Sequence, residues 1–218
     1  MNKIISFDTS ACEPVDRPTT DELAGSWMCG PDVLVTVHEF ELVPDLPAGL
    51  ADLAVLRAAL VHSAAAGGAG LIEADIIEIG GLPAVRQLIK TRIPGRTHGL
   101  AFIGAVTIPR ADSSAVFKVQ AVEQGITGMR EALIVDRLGL DALSLMHPYA
   151  IGADLALPYN AADSAEYDPE FPEHPLTRVR TELSRLLPTI RLAEPFRARP
   201  EFTLTPAPRK RKWFGGRS

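Results

Sequence analysis

Leu100-Ala101-Phe102-Ile103-Gly104-Ala105-Val106-Thr107-Ile108 is almost continuously apolar. That is the pattern of a strand covered on both faces of a sheet. Pro109-Arg110-Ala111-Asp112-Ser113 turns the chain. Residues 115–122 then return with Phe117, Val119 and Ala121 on one side and Lys118 and Gln120 on the other. Such a short connection predicts antiparallel neighbours, because parallel strands need a long crossover.

Upstream, Ile72-Glu73-Ala74-Asp75-Ile76 alternates apolar and acidic residues, and Gly80-Gly81-Leu82-Pro83 makes a turn. Val85 to Ile93 follows, with Arg86, Lys90 and Arg92 sharing one parity. A hairpin here lays a basic row beside Glu73, Asp75 and Glu78 on an exposed face, each opposite pair contributing about 0.2–1 kcal/mol. Val33 to Val43 is β-branched without internal Gly or Pro and predicts another strand. Leu53, Leu56 and Leu60 recur at helical spacing before Gly67-Gly68-Ala69-Gly70 stops the helix. Residues 9–26 read as a loop, being rich in Asp, Glu, Pro and Thr.

Downstream, a helix is predicted from an N-cap at Thr127 to Leu138, followed by an irregular excursion over 139–167. A last helix opens at Pro175, with Leu176, Val179, Leu183, Leu186 and Leu187 as its apolar stripe. The Pro-rich residues after Glu194 have no period. The expected organisation is one domain over 1–192 and a flexible tail over 193–218. Strands, a helix, a longer run of strands and further helices predict an α+β fold. Its sheet is mainly antiparallel and flanked by helices, an α/β/α sandwich.

The 218 residues are 46% hydrophobic and 22% charged, with a formal charge of −5, which excludes disordered and collagen-like chains. No apolar run is long enough for a transmembrane helix. Met1 to Asp8 reaches an acid before a signal-peptide core can develop, so a cytoplasmic address is expected. Cys12 and Cys29 are then free thiols or a single bridge, the address favouring thiols. Arg209, Lys210, Arg211, Lys212 and Arg217 concentrate positive charge at the C-terminus and leave the rest of the chain at about −10. An acidic body repels a phosphate backbone, so contact with nucleic acid or anionic lipid is expected only through that tail.

The series Gly80-Gly81-Leu82-Pro83-Ala84 through Ala121-Val122-Glu123-Gln124-Gly125-Ile126-Thr127-Gly128-Met129-Arg130-Glu131-Ala132, with the order of elements, resembles the Mog1/PsbP-like superfamily. Tyr167-Asp168-Pro169-Glu170-Phe171-Pro172-Glu173-His174-Pro175-Leu176-Thr177-Arg178 is similar to segments of actinobacterial proteins of this general shape. The resemblance covers roughly residues 1–190 and implies helices around an antiparallel sheet. It also implies a leaning toward accessory, chaperone-like or binding roles. No catalytic motif of the superfamily maps onto these residues, and a fold does not assign a function.

Site chemistry is sparse in the sequence. His38, His62, His98, His147 and His174 are dispersed, without His-Glu-x-x-His or Cys-x-x-Cys, so no metal is expected. His38 shares the parity of Leu34, Phe40 and Leu42 and is expected to be half-buried and hydrogen-bonded. No Gly-x-Ser-x-Gly elbow occurs, and Cys29 shows no activating partner in the sequence. Gly67-Gly68-Ala69-Gly70 lacks the Lys-Ser/Thr of a phosphate loop. Gly125-Ile126-Thr127-Gly128, with Glu123 and Glu131 on either side, reads as a helix start.

The expected function is therefore non-enzymatic, through contact with another protein, with no catalytic residue and no cofactor. Arg86, Lys90 and Arg92, together with the basic-aromatic segment Arg209, Lys210, Arg211, Lys212, Trp213 and Phe214, are the expected partner-binding residues. One alternative is an enzyme or small-ligand binder with a pocket under residues 139–167, lined by Tyr149, Asp154, Tyr159 and Asn160. Another is a factor tethered by its tail to an anionic membrane surface.

Overall fold

The structure is a computed structural model, and it describes residues 4–17, 22–150 and 155–204. In chain order the strands are β1 (Ile5–Ser6), β2 (Cys12–Pro14), β3 (Leu23–Cys29), β4 (Val33–Phe40), β5 (Ala69–Ile79), β6 (Leu82–Arg92), β7 (Leu100–Pro109), β8 (Ser114–Val122) and β9 (Arg191–Leu192). The helices are α1 (Leu53–Ala66), α2 (Met129–Leu138), α3 (Pro175–Leu186) and α4 (Glu194–Arg197). Seven strands form one antiparallel sheet in the order β2-β3-β4-β8-β7-β6-β5, and β1 pairs with β9 beside it. The expected α+β architecture is present.

The meander β5-β6-β7-β8 brings β8 back beside β4, pairing Leu34 with Gln120 and Phe40 with Ser114. One sheet face packs Leu88, Phe102, Val106, Phe117 and Val119 against Leu176, Val179, Leu183 and Leu186 of α3. The other face packs Leu71, Ala74 and Val85 against Leu56, Leu60 and Val61 of α1. Asp52 caps α1 by accepting the Ala54 and Val55 amides at Oδ1. β7 lies in the interior of the sheet and is buried along most of its length, with α3 packed on one face. That is why residues 100–108 carry no polar alternation.

At Gly104, α3 approaches the sheet closely. A Cβ there would stand 2.3 Å from Leu183 Cδ1 and 3.0 Å from Val179 Cγ1, both on buried side chains. At Gly70, a Cβ would stand 2.5 Å from the Leu157 carbonyl oxygen, so the excursion lies directly on β5.

Three sequence expectations change. Residues 9–26 are not all loop: β2 and the start of β3 lie there, paired to each other and, through β3, to β4. Leu23-Ala24-Gly25-Ser26 lacks the β-branched residues of a strong strand signal, and sheet pairing supplies what propensity does not. Cys12 and Cys29 sit opposite each other in that pairing and are joined as a disulfide, so the favoured free thiols are replaced by a bridge. Residues 193–204 do not behave as a tail. α4 buries Phe196 to 1% exposure, Ala193 N donates to Ile4 O, and Glu201 bridges to Arg110.

Gly104→Ala is expected to lower unfolding stability by about 1–3 kcal/mol, because neither α3 nor the sheet can move aside without losing contacts. Urea denaturation followed by circular dichroism measures it. Cys12→Ser/Cys29→Ser is expected to cost about 2–4 kcal/mol, since the bridge closes a short loop of the unfolded chain. The same loss should follow reduction of the wild type.

Candidate functional site

The excursion after α2 is held to the sheet and to α3 by buried charge. Lys90 points into the α3 side of the sheet, where its Nζ donates to Asp163 Oδ2 at 2.5 Å, with side chains 3% and 2% exposed. Asp163 Oδ2 also accepts the Asn160 amide, and Asn160 Oδ1 accepts the Asp163 amide, a reciprocal cap on a 3-10 turn over Ala161–Asp163. From α2, the fully buried Arg130 donates to the Ala162 and Ser164 carbonyls, to Asp168 Oδ1 and to Thr177 Oγ1, all within 2.8–2.9 Å. Arg180 of α3 joins Asp168, the Asp163 carbonyl and Glu73 of β5.

This geometry redistributes the basic row expected on β6. Lys90 is an interior ion-pair partner and offers no surface to a binding partner. Arg86 pairs with Glu73 at 3.2 Å, as hairpin charge pairing predicts. Asp75 instead meets Arg57 of α1 at 3.3 Å, so the exposed acidic row is divided between two layers. Arg92 stands exposed at the end of β6, opposite Leu100. Arg209, Lys210, Arg211, Lys212, Trp213 and Phe214 lie outside the described residues, as does Asp154.

The other residues expected under the excursion have structural partners. Tyr149 lies beneath the Arg57 guanidinium at 4.6 Å and edge-on to His147, which also meets Tyr159 edge-on. His147 is buried, with Nε2 3.0 Å from the Leu71 carbonyl and Nδ1 accepting the Tyr149 amide. Burial raises the Tyr159 hydroxyl above its ordinary range, with Asp163 adding to the effect. Asn160 serves as the cap described above. His38 is half-buried and bonded to Thr36 Oγ1 at 3.1 Å, as expected. Cys29 is not a free thiolate, being in the disulfide.

Polar groups converge instead in a cleft of about 450 Å³ between the end of β8, the start of α2 and the start of α3. Glu123 follows β8 and is 6% exposed; its Oε2 accepts the Leu100 amide and its Oε1 accepts the Gly128 amide, both at 2.8 Å. Burial pushes this carboxyl up, but the nearby His174 ring and the two amides outweigh it and hold the group below the usual glutamate range. α2 begins after Gly128, not at an N-cap on Thr127, because Gly128 takes a left-handed conformation with φ 72°. Its amide is already used by Glu123. Glu131 in the first turn then faces Glu123, with Oε2 buried and free of hydrogen bonds.

His174 is the third group. It caps α3, Nδ1 accepting the Leu176 amide at 3.2 Å, with Pro175 at the first helical position. Phe102 lies edge-on to the ring at 5.2 Å. The side chain is 9% exposed, and Nε2 is buried without a hydrogen bond, 3.8 Å from Glu123 Oε1. The nearby charges are already matched. Arg178 pairs with both Asp32 and Glu173, and Arg137 meets Glu170 at 2.6 Å. Glu123 is held by two amides and the His174 ring, so the carboxylate oxygen left without a partner belongs to Glu131.

A second groove, of about 530 Å³, lies on the α1 face among Phe40, Leu46, Leu60, Gln87 and Thr107. Its lining is mostly apolar, with scattered amide and hydroxyl groups and the Asp45 carboxylate. In the sequence Glu123 and Glu131 stand on either side of the Gly125–Gly128 turn, while their meeting with His174 is visible only in the structure. The one local hint was His174 directly before a helix-opening proline. The chain matches no protein-family model and no curated protein.

Lys90→Met is expected to destabilise the fold by about 3–5 kcal/mol, because Asp163 would remain buried and unpaired. Lys90→Met/Asp163→Asn should recover most of that loss, since the amide removes the charge and keeps an acceptor for Asn160. Thermal unfolding of the two variants measures the difference; equal stabilities would contradict the ion-pair account.

Proposed function

We propose that this protein is a binding module that docks another protein through the apolar outer surface of residues 126–146. One observation carries the reading. Among the described residues, twelve large apolar side chains are exposed, and eight of them fall within this segment. Ile126, Leu140 and Met146 are 79%, 77% and 71% exposed. Scattered apolar residues are normal on a surface, whereas a concentrated group marks an interaction site.

The segment has a firm backing. α2 turns Arg130 and Ile134 inward and presents Met129 and Leu133 outward. The 3-10 turn over Leu140–Leu143 follows α2, burying Ala142 beside Ile134 and leaving Leu140 and Leu143 outside. Arg130 and Arg137 are matched by Asp168 and Glu170, so Asp136 and Asp141 leave the border acidic. A partner with an apolar face bordered by lysine or arginine suits this surface.

Contact through this apolar face replaces the basic strand row expected from sequence, because Lys90 is buried and Arg86 is paired. The resemblance to the Mog1/PsbP-like superfamily, with its accessory and chaperone-like members, supports the same direction. No helix among the described residues is long and apolar enough to cross a membrane. For the compartment, the Cys12–Cys29 bond favours an oxidising environment over the expected cytoplasm, where thiols are kept reduced.

The test compares wild type, Leu133→Glu/Leu140→Glu and a chain lacking residues 207–218 in affinity purification from the native host. Expected is a stoichiometric partner that the double variant loses and the truncated chain retains. A partner retained by the double variant and lost on truncation would transfer the role to the basic-aromatic tail. Self-association abolished by the same two substitutions, measured by sedimentation, would make the partner a second copy.

A further inference from the structure

We propose that Glu123, Glu131 and His174 form a binding site for one divalent transition-metal ion at the floor of the α2–α3 cleft. A carboxylate oxygen from each glutamate and one imidazole nitrogen lie within 4.8 Å of one another. The residues come from three elements, the end of β8, the first turn of α2 and the cap of α3.

Two of the donor atoms have no competing structural duty. Glu131 Oε2 and His174 Nε2 are both buried without a hydrogen-bond partner. Buried polar atoms are almost always satisfied, so two orphans within one three-residue cluster indicate a missing partner, and a metal ion is one that takes an electron pair from a carboxylate oxygen and an imidazole nitrogen alike. His174 is over nine-tenths buried and directed at Glu123. A cation answers the partnerless Glu131 oxygen and, once the imidazole hydrogen has moved to Nδ1, His174 Nε2 as well.

The donor set narrows the ion. Two carboxylates and an imidazole suit zinc, manganese or iron in the divalent state. Calcium takes six to eight oxygen ligands, and the cleft supplies too few. The remaining positions open into the cleft between Ile126, Met129 and Phe171, where water or an entering group could complete the coordination. The Leu100 and Gly128 amides orient the Glu123 carboxylate, acting as outer partners of the ligand.

The cap on α3 opposes binding. Nδ1 accepts the Leu176 amide, so the free imidazole carries its hydrogen on Nε2. An ion at Nε2 requires that hydrogen on Nδ1 instead, where it meets the Leu176 N–H, and the cap is lost. Metal binding therefore loosens the first turn of α3 while tying α2 to β8. This reading does not depend on the docking surface, although α2 contributes to both.

The experiment uses the full chain with its disulfide intact, stripped with a chelator and titrated calorimetrically with Zn²⁺, Mn²⁺ and Ca²⁺ separately. Expected is one Zn²⁺ or Mn²⁺ per chain and at least tenfold weaker Ca²⁺ binding. His174→Gln and Glu131→Gln should each weaken Zn²⁺ binding at least tenfold, whereas His98→Gln, an exposed histidine, should not change it. With Mn²⁺ bound, electron spin-echo modulation from an imidazole nitrogen should be present in wild type and absent in His174→Gln. Circular dichroism checks that each variant is folded, and Glu131→Gln keeps the test open if His174→Gln is not. No saturable binding, or equal binding by wild type and both variants, would overturn the proposal.

Discussion

A guanidinium with no exposure to water organises the non-sheet half of this protein. Arg130 reaches from α2 to two carbonyls of the excursion, to Asp168 and to Thr177 of α3. Burying such a charge is costly unless every donor is met. The surrounding backbone must therefore adopt the path that meets it. Lys90 and Asp163 impose a similar condition from the sheet side. Together they make a stretch without regular periodicity follow a defined course.

The course of the excursion sets the geometry of α2. With Arg130 and Ile134 facing inward, helical periodicity turns Met129 and Leu133 outward, and the next turn adds Leu140 and Leu143. The same orientation brings Glu131 beside Glu123 and His174. The apolar surface and the polar cleft are thus two consequences of one helix orientation. Close contact at Gly104 fixes α3 on the sheet, and with it the position of His174 at the helix start.

Much of the sheet could be read residue by residue. Leu100–Ile108 announces an interior strand because it is buried along most of its length, and Gly80-Gly81 marks a hairpin through backbone freedom. β3 was less legible, since Leu23-Ala24-Gly25-Ser26 gains its conformation from pairing with β4. Residues 193–204 looked like a tail because prolines interrupt any period, yet burial of Phe196 and the Ile4–Ala193 hydrogen bond anchor them. Lys90 reads in the sequence as one of an exposed row, because strand parity shows which face a side chain takes but not whether another segment covers that face.

The amino-acid sequence alone determined strands β4 to β8, the three longer helices, the antiparallel class and the concentration of positive charge at the C-terminus. These follow from local periodicity, turn chemistry and composition, which act over a few residues. Only the tertiary structure decided that Cys12 faces Cys29, that Lys90 is interior, and that His174 meets Glu123 and Glu131. Each of those depends on segments distant in the chain being brought together by packing. No local pattern encodes that distance.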